Sequence, residues 1–73
     1  MSKFVNKFSE RLREALRDNS VSQSELARRV NVSQDVINNY CTGRRAPSFD
    51  TLIKIAIELG ESIDYLVGLE EFI

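Results

Sequence analysis

The tripeptide Val-Ser-Gln occurs twice, at residues 21–23 and 32–34, eleven residues apart. Each copy has the features of a helix start, because the serine is a favourable N-cap and the valine can pack on an apolar residue five positions later. Glu25 completes a capping box at the first copy, and Asp35 lies in the first turn at the second, where the helix dipole favours negative charge. Two helices therefore begin close together, so the first is short and a tight turn separates them.

Glycines, caps and helical periodicity place the other elements. Asn19 and Ser20 tolerate the turn that ends a first helix, Asn31 can adopt the left-handed conformation, and further helices stop at glycines. These signals predict an all-α chain, a compact five-helix bundle forming one domain over residues 1–73 with a helix-turn-helix core over residues 22–43. The predicted helices cover about 4–17, 23–30, 34–42, 49–59 and 63–67.

Composition excludes several kinds of site. The 73 residues include no histidine, which removes common zinc ligands and the base of histidine-dependent catalytic groups. The single cysteine, Cys41, cannot form an internal disulfide, and it suits a reducing compartment. Because the chain shows no long apolar run and no signal-peptide pattern, we expect a cytoplasmic protein that uses no membrane. The missing histidine and metal ligands and the short chain also lead us to expect no metal, no other cofactor and no enzymatic activity.

The net charge of −1 conceals a division along the chain. Residues 1–47 carry nine Lys and Arg against five Asp and Glu, whereas residues 48–73 carry one lysine against six acidic residues. Such an asymmetry fits a basic surface for a polyanion with an acidic surface turned away from it. It fits ordinary solvated charge equally well.

The predicted third helix has one apolar and one polar face. At about 100° per residue, its polar residues share an arc of about 140°. Surface helices usually carry Lys, Glu, Arg and Ala, which favour helix more than Asn, Asp and Thr do. Amides, however, can form paired hydrogen bonds with adenine N6 and N7 in a major groove, so this composition indicates a contact surface rather than a merely solvated face. The polar residues are Gln34, Asp35, Asn38, Asn39 and Thr42.

Several segments together resemble the Cro/phage-repressor helix-turn-helix family, often called XRE-type. The resemblance spans about Phe8 to Gly68 with compatible spacing, and it implies a lambda-repressor-like fold that binds double-stranded DNA. The segments are FSERLREALR (8–17), VSQSELA (21–27), NVSQ (31–34), INNY (37–40), TGRRAPS (42–48) and LIKIAIELG (52–60).

The resemblance also implies roles for individual residues. Residues at the start of the third helix read base edges, and the glutamine that opens the second helix contacts a phosphate. The implied base-reading residues are Gln34, Asp35 and Asn38. The implied backbone contacts are Gln23, Ser33, Asn39, Thr42, Arg44 and Arg45. Four other arginines, at positions 11, 13, 28 and 29, are expected to be solvated or paired with Glu10, Glu14 and Glu25.

Asp35 has two interpretations, since a carboxylate near phosphates is repelled unless it accepts a hydrogen bond. It could accept from cytosine N4, or it could act as a dipole partner and disfavour other sites.

Three positions depart from the family pattern. Members often pair an Arg late in the first helix with a Glu after the aromatic residue of the third, and Leu16 and Cys41 stand at those positions. Both charges are absent together, so an apolar pair replaces a buried ion pair. Asn31 stands where the family often has Gly. We expect Cys41 to be a small buried hydrophobe, with a redox switch as the alternative.

The C-terminal third contains more apolar residues than a DNA-binding domain of this kind needs. Core packing and a self-association surface are both consistent with this excess. The sequence thus predicts a transcriptional regulator, most simply a repressor that binds a two-fold symmetric operator as a homodimer, with no evident small-molecule effector. A protein-interaction module on the same fold, such as an antitoxin-like partner, is the alternative. The possible dimer surface is Leu66, Leu69, Phe72 and Ile73.

Overall fold

Serine N-caps and left-handed C-caps set most helix ends in the computed structural model, which describes residues 3–72 and only the backbone of Phe72. Within this range the chain is helical, and the all-α five-helix prediction is confirmed. The predicted ends of the second, fourth and fifth helices agree to the residue, and those of the first and third differ by one. The elements are α1 (Lys3–Asp18), α2 (Gln23–Val30), α3 (Gln34–Cys41), α4 (Phe49–Leu59), α5 (Ile63–Val67) and a 3-10 helix (Leu69–Phe72).

The repeated Val-Ser-Gln acts as a helix start in both places. The Ser22 hydroxyl accepts a hydrogen bond from the Glu25 N–H at 3.1 Å, and the Ser33 hydroxyl accepts one from the Val36 N–H at 3.2 Å. Asn31 ends α2 in the left-handed conformation with φ +61°, as its position predicts. The Glu25 carboxylate, expected in a capping box, bonds Arg28 and Arg29 of its own helix.

Each of the five α-helices contributes one side chain that is 0 % exposed. In this arrangement α1 packs against α3 and α5, and α2 packs against α3 and α4. Since no helix can bury its apolar face without the others, the five helices share one hydrophobic core. The five side chains are Leu12, Leu26, Ile37, Ile55 and Leu66.

The acidic C-terminal segment lies along α1. The Arg11 guanidinium donates to Glu70 at 2.8 Å, to Glu71 at 2.5 Å and to the carbonyl of Tyr65 at 2.7 Å, and it stacks 4.3 Å from the centre of the Tyr65 ring. Lys7 pairs with Glu71 at 3.2 Å. Part of the basic half of the sequence is therefore neutralised by part of the acidic half. No helix in residues 3–72 is long and apolar enough to cross a membrane.

The predicted dimer surface requires a correction. Leu66 belongs to the core, so in this fold it is unavailable to a partner. Leu69 is 37 % exposed, Ile73 lies outside the described residues, and so does the side chain of Phe72. Leu66 is buried because α5 packs on α1, a contact between distant parts of the chain that local spacing does not reveal.

Candidate nucleic-acid interface

The two faces of α3 separate as the sequence predicts. Ile37, Tyr40 and Cys41 are buried, while Gln34, Asp35 and Asn38 are exposed. The buried face contacts the core, and the Phe8 ring meets the Tyr40 ring edge-on at a centroid distance of 6.2 Å. The three predicted base-reading residues therefore lie together on the solvent-facing side of a helix that is fixed from behind.

A hydrogen bond joins the exposed faces of α2 and α3. The Asn38 amide donates from Nδ2 to Oε1 of Gln23 over 3.3 Å. Each amide keeps capacity for a further partner, because Gln23 still has its NH₂ group and Asn38 still has its oxygen and a second N–H. The bond thus restrains Asn38 while leaving an acceptor and a donor for a base edge.

The two predicted hydroxyl contacts are not equivalent. Ser33 uses its oxygen as an acceptor for the Val36 N–H, so its hydrogen remains available for donation. The Thr42 hydroxyl instead donates to carbonyl oxygens of α3, those of Asn38 at 3.1 Å and Asn39 at 3.3 Å. Thr42 must give up this local bond before it can donate to a phosphate.

The loop after α3 is held by the same helix end. The backbone N–H groups of Arg44 and Arg45 both bond the carbonyl of Asn39, at 2.9 and 3.3 Å. Gly43 turns the chain with φ +77°, and a Cβ there would lie 3.4 Å from the hydroxyl oxygen of Ser9 on α1. The exposed Arg44 and Arg45 side chains are therefore attached to backbone that is fixed against α3.

The cations of the molecule divide into neutralised and available groups. Glu25 pairs with Arg28 and Arg29, as expected, and this contact holds the pKa of Glu25 below its ordinary value. In the part of the chain that the structure describes, Arg44 and Arg45 have no carboxylate within ion-pairing distance. Two arginines without a carboxylate partner therefore lie directly after α3 and are free to meet a polyanion there.

Arg13 is a neighbour of α3 that the sequence analysis missed. Its side chain is exposed, as expected, but its guanidinium also donates to the carbonyl oxygen of Cys41, the last residue of α3, and this contact was not predicted. Arg11 likewise pairs with Glu70 and Glu71 rather than with acids of its own helix. Both contacts depend on how α1 packs against distant elements, and sequence spacing gives no signal for them.

The positions that depart from the family pattern form part of the core. Leu16 and Cys41 are both buried, so neither site leaves a charge without a partner. Burial raises the pKa of the Cys41 thiol, which keeps it protonated near neutral pH and unreactive. This environment fits the expected role of Cys41 as a small hydrophobe.

Comparison with known proteins agrees with this geometry. The model of a family described as helix-turn-helix matches residues 12–66, which is most of the chain and includes both α2 and α3. The chain belongs to the helix-turn-helix family. The resemblance to XRE-type members is thereby confirmed.

The curated relatives are regulators from bacteria. The chain is 36 % identical over 61 residues to the HTH-type transcriptional regulator ImmR of Bacillus subtilis, covering 84 % of this chain and 48 % of ImmR. It is 48 % identical over 44 residues to the HTH-type transcriptional regulators for conjugative elements R391 of Providencia rettgeri and SXT of Vibrio cholerae, covering 60 % of this chain and 20 % of each relative. The chain thus spans about half the length of ImmR and a fifth of the others. No solved structure matches it significantly.

Proposed function

We propose that this chain binds double-stranded DNA sequence-specifically through α3 and acts as a transcriptional repressor. The observation that carries the proposal is the exposed amide row of α3, which is fixed from behind by a buried apolar face and flanked by arginines without carboxylate partners. An α-helix fits the major groove, where amides distinguish base pairs by hydrogen bonding. Such a protein works in the cytoplasm and associates with the nucleoid while it is bound.

Base reading is assigned to Gln34, Asp35 and Asn38. Gln34 and Asn38 can each bond adenine N6 and N7, and the bond from Asn38 to Gln23 reduces the side-chain freedom lost on binding. We assign Asp35 as an acceptor for cytosine N4, because it is exposed beside Gln34 and has no ion-pairing cation among the described residues. Replacing Asp35 with Asn should then change the preferred base at one position of the site.

Backbone contacts are assigned to the residues around this row. Amides, hydroxyls and arginines position a protein on phosphates without reading sequence. Gln23 and Ser33 stand at the starts of α2 and α3, where backbone N–H groups and the helix dipole also favour an anion. The remaining assigned contacts, at the other end of α3, are Asn39, Thr42, Arg44 and Arg45.

We further propose that two copies bind a two-fold symmetric site and repress by occupying it. The two most exposed large apolar side chains of the described residues are Phe49 at 73 % and Ile57 at 71 %, two turns apart on α4. A stable interface buries about 800 Å² on each partner, whereas one aromatic side chain supplies about 150–250 Å². A surface of this size predicts weak association in solution and pairing mainly on DNA.

Selection from a random duplex pool followed by anisotropy titration tests DNA reading. We expect a two-fold symmetric site to be enriched by the wild type, with an affinity that falls steeply with salt because phosphate contacts release counterions. The variant Gln34→Ala/Asn38→Ala should lose the selectivity and keep its thermal stability, since both side chains are exposed. Equal, weak and unselective binding by both proteins would refute groove reading and favour the protein-interaction alternative.

A second titration tests the dimer. Phe49→Ser/Ile57→Ser should lower affinity for the full symmetric site and leave affinity for a half-site unchanged. Leu69→Ser is the matched control, because it removes exposed apolar surface from the C-terminal segment instead. If only Leu69→Ser separates full-site from half-site binding, the dimer surface lies at the C-terminal segment and the α4 assignment is wrong.

A further inference from the structure

Arg13 links α1 to the C-terminal end of α3 through backbone rather than through a side chain. Its Nη1 group donates to the carbonyl oxygen of Cys41. Carbonyls in the last turn of a helix lack intrahelical donors, and they form the negative end of the helix dipole. A guanidinium at this place therefore satisfies an acceptor and offsets a local negative potential.

The contact uses only part of what Arg13 offers. A guanidinium has five N–H donors, and Arg13 is exposed at the surface of α1. Across residues 3–72 no carboxylate lies within ion-pairing distance of it, whereas Lys7 and Arg11 on the same helix are paired with Glu70 and Glu71. Arg13 thus keeps a full charge and several donors directed away from the bond to Cys41.

The position of Arg13 is fixed by packing between α1 and α3. The buried Ser9 hydroxyl, one turn earlier on α1, donates to the carbonyl of Tyr40 at 2.7 Å. Gly43, just after α3, lies beside the same part of α1, since a Cβ there would be in ordinary contact with Ser9 and Asn6 at 3.4 and 3.5 Å. Successive points along α1 therefore touch the end of α3, and Arg13 is held beside it.

We propose that Arg13 is a DNA-backbone contact that bridges the Cys41 carbonyl and a phosphate next to the end of α3. The inference rests on the proposed function, because it requires α3 to lie in the major groove. Without a cation, the negative end of α3 would repel the phosphates that flank the groove. Arg13 removes this repulsion and adds a charge-assisted hydrogen bond. With Arg44 and Arg45 it completes a cationic rim around the end of the reading helix.

Salt-dependent anisotropy titrations on the selected site test this role. Arg13→Ala should weaken binding roughly tenfold per subunit, and the slope of log K against log salt should become shallower by about 0.9 for each subunit bound. The loss should be the same on the selected site and on single-base variants of it, because a phosphate contact does not read sequence. Arg13→Lys should retain most of the slope, since it keeps the charge.

Arg17→Ala is the matched control, because it removes the same charge from the same helix. Arg17 is exposed one turn later, and its ion pair with Asp18 is long, at 4.0 Å. We expect this variant to change affinity and slope much less. Urea unfolding of all variants distinguishes a DNA contact from a purely structural role of Arg13. A purely structural role would lower the unfolding midpoint and the affinity while leaving the salt slope unchanged.

The outcomes distinguish the two proposals. If the wild type enriches no site, the proposed function fails before Arg13 is considered. If the wild type binds a selected site and Gln34→Ala/Asn38→Ala abolishes that selectivity, DNA reading stands. An Arg13→Ala slope equal to that of Arg17→Ala would then refute the Arg13 contact alone.

Discussion

Gly60 and Gly68 form a matched pair of helix C-caps from which the contribution of one tertiary contact can be measured. Both residues are left-handed, with φ +65° at Gly60 and φ +73° at Gly68. They differ in what a side chain would meet. A Cβ at Gly60 has nothing within 4 Å, whereas a Cβ at Gly68 would lie 2.3 Å from Cγ of Lys7, 3.2 Å from Cδ and 3.3 Å from Cβ.

These distances set the expected magnitudes. Gly60→Ala forces an alanine into a left-handed conformation and should lower the free energy of unfolding by about 1 kcal/mol. Gly68→Ala has the same backbone strain, and the stem of Lys7 must also move, which adds about 1–3 kcal/mol of overpacking. Lys7→Ala/Gly68→Ala removes Cγ and Cδ of Lys7, the two closest of these contacts, so this double variant should return close to the loss measured for Gly60→Ala.

Urea unfolding followed by far-UV circular dichroism measures all of these variants. Lys7→Ala alone completes the cycle, and we expect a small effect because its ion pairs lie at the surface. The coupling between residues 7 and 68 should then be about 1–3 kcal/mol. If Gly68→Ala loses no more stability than Gly60→Ala, or if the double variant keeps the full loss, the C-terminal segment does not pack on α1 as described.

Three further perturbations test other parts of the structure. The Cys41 thiol is buried with a raised pKa, so a thiol reagent should modify it only as fast as the protein opens, and addition of urea should accelerate the reaction. The hydrogen bond from Arg11 holds the pKa of Glu70 below 4.5. The stability that this contact gives the fold is present above that pH and is lost as pH falls through the depressed pKa. Thermal melts of Glu70→Gln should therefore show a smaller drop in melting temperature on acidification than those of the wild type. Cys41→Glu should lower the free energy of unfolding by about 3–5 kcal/mol through an unpaired buried charge. Leu16→Arg/Cys41→Glu should recover part of this loss. Equal unfolding midpoints for the two variants would contradict packing of positions 16 and 41 as a pair.

Local signals determined how much of the fold could be predicted. Serine caps and positive-φ residues act within one or two turns, so Ser22, Ser33 and Asn31 marked helix ends directly. The polar arc of α3 was equally visible, because helical periodicity assigns its residues to one face. The tertiary contacts that the sequence missed, such as those of Arg11 and Arg13, join residues far apart in the chain.

Leu66 and Arg11 show why distant contacts escaped prediction. Leu66 lies near an apolar C-terminus, which suggests an exposed association surface, yet α5 buries it against α1. Arg11 has Glu14 at helical spacing on its own helix, yet it binds Glu70 and Glu71, about sixty residues away. In both cases a contact with a distant segment determines where the side chain lies, and the local spacing of residues contains no information about that contact.

The link between α1 and the end of α3 shows how this chain compensates for a missing ion pair. Family members often join these helices with an Arg and a Glu, whereas Leu16 and Cys41 occupy those positions here and are buried. The polar connection is made instead by Ser9 and Arg13, both bonded to carbonyl oxygens of α3. Backbone acceptors persist whatever side chain stands at position 41, so the apolar pair is tolerated without loss of the polar link.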